Sequence, residues 1–198
     1  MSSALIIFVR NPVLGKVKTR LASTLGDEKA LEIYRILLRH TSDVTKDLAV
    51  DKFVFYDDHI DQNDIWENDI FEKFLQQGSD LGERMTKAFD YLFKKKYSKV
   101  IIIGSDCFEL NESILSHAFD ALSNHDVVIG PAEDGGYYLL GMHQFIPQLF
   151  DNKKWSSNSV YADTVSQLKE ANKSIYELPL LNDVDKETDI DFNINLPG

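Results

Sequence analysis

Val100-Ile101-Ile102-Ile103-Gly104-Ser105-Asp106 is the stretch whose reading decides the fold. Four consecutive β-branched residues favour extended backbone, and an unbroken apolar run suits a strand buried on both faces. The run stops at Gly104, so polar chemistry begins where the strand ends. Ala4-Leu5-Ile6-Ile7-Phe8-Val9 upstream and Asp126-Val127-Val128-Ile129 downstream repeat the pattern, each followed by a loop containing proline or glycine. Phe53-Val54-Phe55-Tyr56 reads as another strand, Gly136 to Met142 as extended, and Ile175 to Leu180 as a late strand with Pro179 near its end.

Between these runs the period changes to that of a helix. Leu31, Tyr34 and Leu38 share one stripe between Asp27 and about His40, with Gly26 or Asp27 as the cap. Asp80 caps a segment with Leu81, Met85, Ala88, Phe89 and Leu92 in line. Asn111 caps another built on Leu115, Ala118, Phe119 and Leu122, and a last helix runs from Val160 to about Ala171. Asp57 to Asp69 carries six carboxylates and reads as an exposed loop with one turn near Ile65-Trp66. Strands alternating with helices predict a three-layer α/β/α architecture with a mainly parallel central sheet. No repeat or linker divides the chain, so residues 1–198 are expected to form one domain.

Composition narrows the function. The net charge is −11, which argues against nucleic acid or an anionic membrane as a partner. The single cysteine, Cys107, rules out an internal disulfide framework, and no apolar run is long enough to span a membrane. The opening apolar run is too short for a secretory signal. Together these features predict a cytoplasmic protein. The oligomeric state is left open.

Ligands of open parallel sheets bind beyond the carboxyl ends of the strands. Arg10, Lys16, Lys18 and Arg20 follow the first strand within eleven positions that contain no acid. Backbone N–H groups at the start of the next helix, with Lys18 and Arg20, could hold a di- or triphosphate, although the loop has neither the dinucleotide nor the Walker spacing. The alternative is a solvated loop. Asp106, Asp134, Asp183 and Asp185 follow later strands, and each alone could be a cap or turn residue. Gathered at one edge they would repel, by roughly 3 kcal/mol for two carboxylates about 5 Å apart. A divalent cation opposite phosphates would neutralise them, and magnesium suits one or two carboxylates plus phosphate oxygens. Zinc lacks ligands of suitable spacing. Asp134-Gly135-Gly136-Tyr137-Tyr138 is either a close approach of backbone to a ligand or a hairpin turn. Cys107 reads as a packed thiol rather than a nucleophile. Trp66 and Trp155 could line a pocket or belong to the core.

Phe8…Asn11-Pro12…Gly15…Lys18-Thr19-Arg20-Leu21, Gly78…Asp80-Leu81-Gly82-Glu83-Arg84-Met85, Gly104-Ser105-Asp106 and Gly130-Pro131-Ala132-Glu133-Asp134-Gly135-Gly136-Tyr137-Tyr138-Leu139 together resemble one bacterial family. It is the "transferase 1, radical-SAM/selenodomain-associated" family of the nucleotide-diphospho-sugar transferase superfamily. The tail Asp183-Val184-Asp185…Asp189-Ile190 is similar to the closing motif of nucleotidyltransferases there. The resemblance implies a GT-A-like fold and a metal-dependent transferase using a nucleotide and a small sugar-like or phosphorylated acceptor. Lys18, Arg20 and Asp106 would be catalytic. Arg10, Asn11, Thr19 and Gly82 would join Lys18 and Arg20 at the nucleotide phosphates. Asp106 and Asp185 would hold magnesium or manganese, and Asp134, Gly135, Gly136 and Tyr137 would face the sugar or acceptor. The opening loop departs from the glycine-rich form of well-studied nucleotidyltransferases, and Phe108 stands where the family often has proline. Nucleotidyl transfer is the leading expectation. Glycosyl transfer from a nucleotide sugar and a non-catalytic nucleotide-binding module are the alternatives.

Overall fold

A computed structural model describes residues 2–151, 153–155 and 157–190. Seven strands form one sheet in the order β3-β2-β1-β4-β6-β5-β7. They are β1 (Ser3–Val9), β2 (Asp51–Tyr56), β3 (Phe71–Leu75), β4 (Lys99–Ile103), β5 (Val127–Pro131), β6 (Tyr137–Met142) and β7 (Ile175–Glu177). All ladders are parallel except those of β6, which runs antiparallel between β4 and β5. The mainly parallel expectation therefore holds, with one reversed strand inside the sheet. That reversal puts the segment joining β5 to β6 at the edge where β1, β4 and β7 end.

Both faces are covered. Leu5, Ile7, Ile101 and Ile103 point into one buried cluster and Ala4, Ile6, Val100 and Ile102 into another, as the two-residue period of a strand requires. Five helices supply the outer layers: α1 (Thr19–Leu25), α2 (Asp27–Thr45), α3 (Leu81–Lys94), α4 (Glu112–Ala121) and α5 (Val160–Glu170). The Asp80 and Asn111 side chains accept from the N–H groups of Glu83 and Ile114, capping α3 and α4. Gly26, with φ +84°, lets the chain turn directly from α1 into α2, so the basic loop ends in a short helix of its own.

Two expectations change and one open alternative closes. The late strand stops at Glu177, and Leu178 to Leu181 continues as isolated contacts with Ile129, Pro131, Ala132 and Glu133. Phe71–Leu75 is an unexpected edge strand in which Glu72 and Lys73 interrupt the apolar pattern. Trp66, within the acidic loop, is core, packed edge-on to Phe71.

Candidate active site

The topology brings four segments to one edge. β1 pairs with β2 on one side and β4 on the other, which makes the β1/β4 crevice the point where strand order switches. The basic loop leaves the end of β1, and Gly104-Ser105-Asp106 leaves the end of β4. Tyr34 of α2 ties these two exits together. Its hydroxyl accepts from the Arg10 N–H at 2.8 Å and lies 3.3 Å from Ser105 Oγ. Burial pushes that phenol up to about 12, so it stays a neutral fastener.

The tail segment reaches the same place by alternation. Val184 is buried with Leu21, Ala30, Ile33 and Leu37 of α1 and α2, and its N–H donates to the Asp106 carbonyl at 3.0 Å. Residues two apart on extended chain face the same way, so Asp183 and Asp185 both turn from that cluster toward the crevice. Lys18 completes the arrangement. It caps α1 in left-handed backbone, φ 45°, and its ammonium lies 2.9 Å from Asp106 and 3.0 Å from Asp185. Arg20 reaches the other Asp185 oxygen at 3.3 Å. The Lys18 side chain is only 6% exposed, against 38% and 34% for its partners, so the ammonium is sunk and the carboxylates rise into the cleft. Burial works to lower the Lys18 pKa, but Asp106 and then Asp185 outweigh it, and the group stays charged above the ordinary lysine range.

Two adjoining cavities open from this trio. The first, about 580 Å³, is walled by Arg10, Lys18, Arg20 and Arg84 among cations and by Asp57, Asp80, Asp106 and Asp185 among acids. The second, about 370 Å³, shares Arg10, Asp106 and Asp185 and adds Asp134, Asp183, Tyr137 and Trp155. Arg84 is held by the Gly78 carbonyl and by Gln76, whose amide nitrogen in turn bridges the ends of β1 and β2. Asp183 stands out electrostatically. Burial, reinforced by Asp106, pushes its carboxyl up to about 8, and one of its oxygens has no partner. Cys107 is buried and its thiol is pushed up by that burial, which leaves no thiolate for nucleophilic work.

Several expected site residues lie elsewhere or do other work. Asn11 is buried with its amide spent on the Asp58 and His59 backbone, fixing the basic loop to the loop after β2 rather than facing phosphates. Gly82 makes room for Trp155, since a Cβ there would sit 2.4 Å from the indole nitrogen. Gly135 adopts φ +88° and lies against the Asn158 backbone, so it shapes the turn instead of a ligand surface. Arg10, Thr19, Asp134, Gly136 and Tyr137 do line the cavities. Arg84 and Asp57 were not anticipated. The signal for Arg84 was its place near the start of α3, where the helix dipole disfavours a cation.

The donors offered to a metal are all carboxylate oxygens, which suit a hard divalent ion. Among the described residues, no three side chains of ligating type converge as they would on a metal held by protein alone. A cation here would rest on Asp106 and Asp185 and need oxygens from its ligand.

Residues 40–157, more than half of the chain, match the family described as "uncharacterized protein conserved in bacteria" (DUF2064). The chain belongs to this family. A crystal structure from Desulfovibrio desulfuricans G20, provisionally named a nucleotide-diphospho-sugar transferase, is 35% identical over 94% of this chain and 84% of its own, with a TM-score of 0.86. The inositol-1-phosphate CTP transferase from T. maritima is 11% identical at a TM-score of 0.54, covering 98% of this chain and 93% of its own. A CMP:2-keto-3-deoxy-manno-octonic acid synthetase complexed with CTP is 12% identical at 0.55, covering 95% of each. The last two share the fold alone with this family member. No curated protein matches the chain. Among the described residues, no helix is long and apolar enough to cross a membrane.

Proposed function

We propose that the protein is a nucleotide-using transferase that moves a nucleotidyl group from a nucleoside triphosphate to a small acceptor. The acceptor oxygen would form a bond to the α-phosphorus and give up its proton to a cleft carboxylate or water, while the bond between the α-phosphorus and the bridging oxygen breaks and pyrophosphate leaves. The observation that carries this reading is the trio of Lys18, Asp106 and Asp185, with Arg20 beside it, at the β1/β4 switch point. A sunk ammonium and nearby guanidiniums offer fixed positive charge to a polyphosphate, and preorganised charge is the main device of phosphoryl chemistry. Support also comes from the family relative named as a transferase of this superfamily and from the cytidylyl-type enzymes that share the fold.

Magnesium or manganese belongs to the proposal. Asp106 and Asp185 would hold it, and when bound it would neutralise charge between phosphate oxygens. Arg20 would bind and orient the phosphates, Lys18 would act on them from beneath by its charge while holding Asp106 and Asp185 in place, and Tyr34 keeps the two loops at a fixed spacing. The narrower placement among radical-SAM/selenodomain-associated transferases rests on the sequence blocks quoted above.

A thermal-shift panel of nucleoside triphosphates and nucleotide sugars, with and without magnesium, tests this reading. A preferred triphosphate at a hundred times its Kd stabilises by about 2.7 kcal/mol, or roughly 5–10 °C for a chain of this size. Larger shifts with nucleotide sugars, and release of a nucleoside diphosphate, would establish glycosyl transfer instead. Binding that needs no metal, with no product from any acceptor, would mark a non-catalytic module.

A further inference from the structure

We infer that the second cavity receives an uncharged, hydroxyl-bearing acceptor of sugar or polyol type, and not a phosphorylated one. The inference rests on the proposed transfer reaction and specifies its acceptor. The two cavities differ in charge although they share one wall. Four cations balance four acids around the first; around the second, Asp106 and Asp185 are already paired with Lys18 and Arg20, and Asp134 and Asp183 face Arg10 alone among the lining cations. A phosphate monoester placed there would meet carboxyl groups on several sides, while a hydroxyl would find acceptors on the same sides.

A second observation is independent of charge. Among the described residues, two buried side-chain polar atoms lack any hydrogen-bond partner, the Tyr137 hydroxyl and Asp183 Oδ1. Both residues line this cavity. Buried polar groups are nearly always paired in a folded protein, so two orphan atoms within residues of one cavity wall point to a ligand that reaches in and supplies the missing partners. A carboxyl oxygen and a phenol match a polyol, whose hydroxyls both donate and accept. Much of the rest of the wall is apolar, with Phe8, Met85, Ile102 and the Trp155 indole, and an aromatic face suits the C–H face of a sugar ring. Trp155 owes its position to Gly82, which explains a glycine in the first turn of α3.

Saturation-transfer NMR on the full chain, using matched pairs of probes, tests the inference. The pairs are glucose and glucose 1-phosphate, ribose and ribose 5-phosphate, myo-inositol and its 1-phosphate, and glycerol and its 3-phosphate. At least one neutral member is expected to bind more tightly than its phosphorylated partner. Tyr137→Phe, which keeps the ring and its packing, should weaken that binding about fivefold, as loss of one hydrogen bond does. Asp183→Asn and Trp155→Ala should weaken it further. A phosphorylated member that outbinds its neutral partner, neutral binding untouched by Tyr137→Phe and Trp155→Ala, or no neutral binding at all would each overturn the inference. Thermal shifts by nucleoside triphosphates, run on the same samples, report the first cavity separately. Absent triphosphate binding beside polyol binding would sink the transfer reaction and leave the acceptor assignment standing.

Discussion

Replacing Lys18 with methionine keeps most of the buried volume and deletes one charge. Two contacts of 2.9 and 3.0 Å are lost, each worth roughly 5–6 kcal/mol of attraction at an effective dielectric of ~20. Most of that attraction offsets the cost of sinking the ammonium to 6% exposure. Because Asp106 and Asp185 are each about one-third exposed, solvent screens the remainder. The variant must also carry two carboxylates side by side with Arg20 as the remaining cation in direct contact. The net expectation is a loss of about 1–3 kcal/mol, a fall in melting temperature of roughly 3–10 °C. Differential scanning calorimetry at neutral pH reads this directly. Magnesium should then stabilise the variant more than the wild type, since a divalent ion is the remaining neutraliser for the pair. The reasoning is refuted if Lys18→Met melts at or above the wild type and magnesium shifts the two proteins equally.

Other expectations follow from single contacts. Gly135→Ala would place a methyl 2.1 Å from the Asn158 carbonyl at φ +88°, so it should cost about 3 kcal/mol or more, and an unchanged urea midpoint would contradict that. Gly82→Ala should displace the Trp155 indole and shift tryptophan emission, a change that should vanish when Trp155 is also replaced by phenylalanine. Asp126 accepts from the Ser174 N–H and hydroxyl and from Lys173, fixing β7 beside β5, and these bonds hold its pKa well below the ordinary 3.8. A depressed carboxylate stabilises above its unfolded value and loses that stabilisation as pH falls. Asp126→Ala should therefore cost about 1 kcal/mol at pH 7 and progressively less below about pH 4, and an equal cost at pH 3 and pH 7 would exclude this account.

The strands that position the site were readable because they are buried on both faces. Ala4 to Val9, Phe53 to Tyr56, Val100 to Ile103 and Val127 to Ile129 are all unbroken apolar runs. Direction was harder to read. Tyr137 to Met142 is extended whether parallel or antiparallel, and only pairing with β4 and β5 decides which. The edge strand at Phe71 was hidden because half-exposed strands tolerate charge. Charge contrast made Lys18, Arg20 and the strand-end aspartates visible as a set, but it could not show what each side chain touches. Asn11 has the same polar character as a phosphate ligand, and only its bonds to the Asp58–His59 backbone reveal that it holds a loop. Gly82 and Gly135 were ambiguous for a related reason, since a glycine that admits a ligand and one that admits an indole or forms a turn are the same residue in sequence.

The most direct test of the whole account is a crystal structure of the full chain soaked with a stabilising nucleoside triphosphate and magnesium. Phosphate density within hydrogen-bonding reach of Arg20, on the cleft side of Asp106 and Asp185 beneath which Lys18 is sunk, is the predicted result. A triphosphate bound away from the β1/β4 crevice, with the Lys18 trio undisturbed, would contradict it.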